Sequence, residues 1–184
     1  MSHSVFHISL TGHRPHKLDG YNLDTRYYKQ MRQHLMQIIS YYLDRYDQVV
    51  CHSGMALGAD TVWSEAIANM RFRFGSRVRF VAHVPCRNQE SRWPEQSQRH
   101  YHKVLSHSDD VVIYSDHYTP ACMQERNIGM VDAADLLLAI WDGSSGGTGN
   151  CVRAAKERNV EIHQIQPSTS VSYTHLRAHE TPEH

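Results

Sequence analysis

Nowhere in these 184 residues is there an apolar run approaching the roughly 20 residues of a membrane helix, which excludes a helical span. An excess of one charge is missing too. The 19 basic and 19 acidic residues cancel, so bulk charge does not favour nucleic acid or an anionic membrane, and neither is expected as a partner. The four cysteines, Cys51, Cys86, Cys122 and Cys151, lack CxxC spacing. They read as free thiols of a reducing compartment, and no apolar signal-peptide core stands at the N-terminus, so the expected location is cytoplasmic. The 15 histidines are scattered, with no HExxH and no paired Cys/His spacing, and no metal centre is expected. Neither G-x-G-x-x-G nor a Walker sequence occurs, which removes the standard dinucleotide fingerprint and the P-loop.

What is present is a regular alternation. Apolar strand patterns at Val5–Leu10, Val49–His52, Val78–Val84, Val111–Tyr114, Asp135–Trp141 and Val160–Ile165 are separated by helical patterns. The helices are read at Leu23–Tyr46, Thr61–Phe72, Glu95–Leu105, Cys122–Ala133 and Cys151–Arg158. Asn22 or Asp24 is the expected cap of the first. Strands apolar on both sides, alternating with helices, predict an α/β fold of three layers, a Rossmann-like, mainly parallel sheet with helices on both faces. Length and composition fit one such domain over residues 1–167. Residues 168–184 change character, with no periodicity and a wording, T-H-L-R-A-H-E-T, that resembles sequencing-adapter read-through. A disordered, non-native tail is expected there.

Parallel sheets bind ligands beyond the carboxyl ends of their strands. Four polar, glycine-marked loops follow such ends here: Thr11–Pro15, Ser53–Asp60, Pro85–Pro94 and Asp142–Asn150. The last, D-G-S-S-G-G-T-G-N, sets Gly143, Gly146, Gly147 and Gly149 between a strand and a helix, with Asp142, Ser144 and Thr148 among them. Close backbone approach, free N–H groups and a helix N-terminus suit an anion such as phosphate; the plainer alternative is a flexible surface turn. In the second loop Gly54 and Gly58 allow close approach and Ser53 offers a hydroxyl, while Asp60 either binds a sugar hydroxyl or caps the next helix. Arg14 is either a bidentate phosphate clamp or a solvated loop arginine. Tyr118 and Trp93 are candidates to stack on a base, and Trp63 either stacks or belongs to the core.

The strings T-G-H-R-P, S-G-M-A-L-G-A-D-x-x-W and M-Q-E-R-N-x-x-M-V-D, with the final glycine-rich loop, resemble the YpsA-like branch of the SLOG superfamily over nearly all of residues 5–165. The resemblance implies a Rossmann-like fold and a pocket for a nucleotide-derived ligand, NAD or ADP-ribose in type, with no cofactor required. Carried over by motif, its pocket residues are Gly12, Arg14, Ser53, Gly54, Gly58, Asp60, Arg126, Asn127 and the 143–149 loop, with Thr11 at the end of the first strand. It also implies a homodimer or higher oligomer, with long helices such as Leu23–Tyr46 at the interface. The wider superfamily includes the LOG phosphoribohydrolases, whose glycine loop reads P-G-G-x-G-T-x-x-E, and DprA, which processes DNA. Here Asn127 stands where their helix has lysine, and Val152 and Arg153 stand where the glutamate falls. Cleaving an N-glycosidic bond needs a carboxylate, so the departure favours binding, for sensing or sequestering, over hydrolysis. An N-glycoside hydrolase using another carboxylate (Asp60, Glu125 or Asp142) is the alternative.

Overall fold

The computed structural model describes residues 3–169. Six strands, β1 (Val5–Gly12), β2 (Gln48–Ser53), β3 (Val78–Val84), β4 (Asp110–Ile113), β5 (Leu136–Ile140) and β6 (Glu161–Ile165), form one sheet in the order β4-β3-β2-β1-β5-β6. Every neighbouring pair is parallel. Between them run α1 (Arg26–Leu43), α2 (Ala59–Phe74), α3 (Glu95–Ser106), α4 (Cys122–Ala133) and α5 (Gly147–Glu157). This is the expected three-layer Rossmann-like arrangement.

The strand alternation decides which layer each side chain joins. Ile8, Leu10, Val49, Cys51, Phe80, Leu136, Leu138 and Ile140 share one core with α1, α2 and Tyr101 of α3. The intervening Leu137 of β5 joins Val131, Cys151, Ala154 and Ala155 beneath α4 and α5. Trp63 is fully buried and donates its Nε1–H to the His52 carbonyl at 2.9 Å, so it is a core residue and stacks on no ligand. All four residues of β4 are exposed, because β4 is an edge strand; the apolar run there does not signal burial on both faces.

Two helix starts differ from the sequence expectation. The cap of α1 is Thr25, whose hydroxyl accepts the Tyr28 N–H at 3.3 Å. Asn22 instead accepts the Asp24 N–H within the preceding loop. The last helix begins at Gly147, four residues before Cys151. Its first turn is made of residues poor in helix propensity, so apolar periodicity starts only where the helix is already formed. At the other end of the chain, Pro167–Thr169 form a single 3-10 turn, tied by the Tyr27 hydroxyl to the Pro167 carbonyl at 2.8 Å. The expectation of disorder falls on 168–184, of which residues 170–184 lie outside the described residues.

Candidate functional site

Strand order reverses at β1, which has β2 on one side and β5 on the other. The loops leaving β1 and β5 therefore stand at the topological switch point, where open α/β sheets place ligands. They are joined to each other and to the α2 loop. The His13 carbonyl accepts the Ala59 N–H at 3.1 Å, and His13 Nε2 lies 3.1 Å from the Asp142 N–H and 2.9 Å from Asp142 Oδ1. Lys17 Nζ donates to Ser144 Oγ at 2.6 Å, the Ser144 N–H to Asp142 Oδ1 at 2.9 Å, and Trp141 Nε1–H to the Ser144 carbonyl at 2.7 Å. Hydrogen bonds from Ser144, and then His13, hold the Asp142 carboxyl well below the usual range. The turn after β5 is thus a built structure with an ionised carboxylate at its base.

Four helices start at this edge without a side-chain cap: α2 after Gly58, α3 after Pro94, α4 after Ala121 and α5 after Gly146. An uncapped first turn leaves backbone N–H groups and partial positive charge for an anion. At α5 those groups belong to Gly147, Thr148 and Gly149. Gly146 has φ +138°, and a Cβ there would meet nothing within 4 Å, so the approach to the turn is open. Arg14 is exposed on the adjoining loop, its guanidinium hydrogen-bonded to nothing among the described residues, and Lys17 is one short 3-10 turn further on.

Arg126 and Asn127 take a different role from a freely offered clamp. Both are buried. The Arg126 guanidinium donates to the Gly54 carbonyl, and its Nε–H to Asn127 Oδ1 at 3.1 Å, while Asn127 Nδ2 reaches the Gly147 carbonyl at 3.4 Å. The pair ties the β2 loop to the start of α5 from below. A Cβ on Gly54 would stand 2.6 Å from Arg126 Nη1, so a larger residue there would displace the guanidinium. Ser53 accepts the Met55 N–H at 3.1 Å and shapes the turn. Asp60 sits in the first turn of α2 but does not cap it: its Oδ2 accepts the Ala56 N–H at 3.1 Å, inside the loop. Burial pushes the Asp60 carboxyl up, partly offset by the Arg126 charge. Thr11 is buried at the end of β1, its hydroxyl against the Cys151 thiol.

A cavity of about 580 Å³ opens on the α2/α3 side of this edge. Pro15, Met55–Gly58 and Asp60 line it from the loops, and Trp93 and Tyr101 from α3 and the segment before it. Of the residues expected from sequence, Gly58, Asp60 and Trp93 border this cavity. Gly12, Arg14, Ser53, Gly54, Arg126 and Asn127 lie in the loops and helices around it, and Asp142–Gly149 form the separate turn at α5. Tyr118 is 66% exposed on the loop before α4 and does not line the cavity.

One arrangement has no counterpart in the sequence motifs. On the α4 side of the sheet, His7 Nδ1 lies 2.9 Å from His52 Nε2, His52 Nδ1 lies 2.8 Å from His83 Nε2, and His83 Nδ1 lies 2.8 Å from the Tyr114 hydroxyl. Each interior ring has one donor and one acceptor, so the chain is satisfied only with His52 and His83 neutral. Burial pulls His52 down to about 3 and His83 to about 4. The signal available in sequence was a histidine at an inward position of an apolar strand, in V-V-C-H-S and again in V-A-H-V.

Residues 8–171 match the YpsA family model, described as the YspA SLOG family. Among curated relatives, the chain is 23% identical over 142 residues to the uncharacterized SPbeta prophage-derived protein YoqJ of Bacillus subtilis, covering 70% of this chain and 81% of that one. It is 24% identical over 143 residues to a UPF0398 protein of Bacillus pumilus, covering 77% of this chain and 76% of the relative. Among solved structures, DNA processing protein A of Streptococcus pneumoniae superposes with a TM-score of 0.58 at 12% identity, over 88% of this chain and 50% of that one. A structure describing the single-stranded DNA binding mode of the Helicobacter pylori protein superposes with a TM-score of 0.60 at 16% identity, over 89% of this chain and 66% of that one. The chain therefore spans half to two thirds of those DNA processing proteins, and the likeness is one of fold.

Proposed function

From the premise that the chain belongs to the SLOG family of that model, we propose that it binds a nucleotide-derived ligand at the carboxyl edge of the sheet. The ligand is a nucleoside phosphate or a molecule of the NAD or ADP-ribose type, held for sensing or sequestering. One observation carries this: the open, uncapped first turn of α5 stands at the switch point with Lys17 bonded to Ser144 of its loop, and Arg14 is exposed on the β1 loop. Backbone donors, a helix dipole and two cations are the chemistry that selects phosphate. Calorimetric titration with ADP-ribose, NAD and AMP tests it. Binding that weakens about tenfold in Lys17→Ala or Arg14→Ala is the expected result, and heat-silent mixing with all three ligands defeats the proposal.

Hydrolysis is the second reading, and Asp60 is what favours it. It is a buried carboxyl bordering the cavity, pushed toward its protonated form, as a general acid would be. Glu125 is exposed, and Asp142 is engaged by Ser144 and His13. Chromatography of the same mixtures separates the readings, since release of free base that stops in Asp60→Asn makes the protein a hydrolase. The fold shared with DNA processing protein A adds a control, a fluorescent single-stranded oligonucleotide, for which the balanced charge of this chain predicts no tight binding.

A further inference from the structure

The cavity beside α3 differs in chemistry from the anion site. No lysine or arginine lines it, whereas Asp24, Asp60 and Glu65 do. Two of these are neutralised by partners, Lys29 at 3.1 Å from Asp24 and Arg32 at 2.9 Å from Glu65. Asp60 has no such ion pair among the described residues. Its Oδ1 is buried without a hydrogen-bond partner, and so is Nε2 of His100, a lining residue from α3. Both atoms are closed off from solvent and so do not face the open space of the cavity, whose α2 side is lined by Asp60 and Glu65. The opposite wall is aromatic: Trp93 and Tyr101 meet edge to face, with ring centroids 5.3 Å apart at 87°. A volume of about 580 Å³ lies within the range of small-molecule sites, about 300–1,000 Å³.

We propose that this cavity receives the unphosphorylated, ring-bearing part of the ligand, a nucleoside whose base packs against Trp93 and whose sugar lies toward Asp60. A phosphate finds no lysine or arginine in the lining of this cavity. The inference rests on the nucleotide reading above and adds which side of the edge holds the nucleoside. It places the base beneath α3, away from the glycine-rich turn, and the phosphate across the β1 loop at α5. Trp93 and Asp60 then decide specificity, and α5 supplies affinity for any phosphorylated ligand.

Adenosine, ADP-ribose and inorganic phosphate serve as three probes of the full chain by calorimetry, with hydrogen exchange of the unmodified protein read in parallel. Adenosine alone is expected to bind and to slow exchange in Glu95–Ser106 and the 55–60 turn, leaving 142–149 unchanged. Trp93→Ala and Asp60→Asn are expected to weaken adenosine and ADP-ribose at least tenfold with inorganic phosphate unaffected, and Trp93→Phe to restore most of the loss. ADP-ribose binding that protects only 142–149, or that is indifferent to Trp93→Ala, overturns the cavity assignment while leaving the nucleotide reading intact. Adenosine binding without any response to ADP-ribose or phosphate retains the cavity and removes the anion site. Silence with all three probes removes both.

Discussion

Gly58 and the histidine chain show how much of this molecule rests on single positions. Gly58 has φ +93°, and a Cβ there would stand 2.4 Å from the His13 carbonyl oxygen, where the β1 loop crosses the start of α2. Left-handed strain and a backbone clash add, so Gly58→Ala is expected to cost about 3 kcal/mol in chemical denaturation. At Gly146 the backbone is strained for other residues but the space is open, so Gly146→Ala is expected to cost about 1–2 kcal/mol. The histidine chain sets a pH dependence. His52 and His83 titrate near 3 and 4 when folded, against about 6.5 in the unfolded chain. Between those values the unfolded state binds more protons, so stability is full above about pH 6.5 and falls as the pH drops toward 4. The groups facing these rings are His7, Tyr114 and the Arg126 charge, and Asp60, whose carboxyl is raised, opposes the trend only near its own titration. Stability measured by denaturation is expected to fall by about 4 kcal/mol between pH 7.5 and 5, the slope approaching two protons, about 2.7 kcal/mol per pH unit, only below about pH 6. In a His52→Asn, His83→Gln double variant that slope should largely vanish, and an unchanged slope would rule the chain out as its origin.

At the scale of elements, the motif in α4 proves to be a brace. The sequence assigned Arg126 and Asn127 to a ligand pocket by resemblance, and both are indeed at the sheet edge. Arg126 donates to the Gly54 carbonyl, to Asn127 Oδ1 and to Met123 Sδ, and Asn127 to Gln124 and the Gly147 carbonyl; no spacing rule reveals the two long-range bonds, whose partners are backbone carbonyls 72 and 20 residues away. Arg126→Ala would leave the buried Gly54 carbonyl unpaired and the Asp60 carboxyl without its nearest cation. A loss of about 3 kcal/mol is expected, whereas Arg14→Ala on the exposed loop should leave the melting temperature unchanged. The elements themselves were legible, since strand and helix periods follow from which faces are buried. Boundaries were not, where a cap such as Thr25 or a glycine turn such as Gly147–Gly149 carries no apolar pattern. Likewise, V-V-I in β4 has the composition of a buried strand, and only the strand order shows it to be an edge.

The whole molecule divides its work between two sides of one edge. Strand order reverses at β1, so the α5 turn lies to one side of the first loop and the α3 cavity to the other. From the sequence, four glycine-marked loops were expected at the carboxyl ends of the strands. The structure joins them by hydrogen bonds yet leaves two environments, one with cations and free N–H groups and one with a carboxyl and aromatic rings. That division was hidden because it depends on which helix packs over which loop. On the function proposed above, a bipartite molecule such as ADP-ribose would engage both environments, whereas inorganic phosphate would engage one. The most direct measurement is calorimetric titration of the full chain with ADP-ribose, repeated in Lys17→Ala. Saturable binding that weakens about tenfold in the variant is the predicted result; no binding, or binding indifferent to Lys17, would contradict a nucleotide site at the switch point.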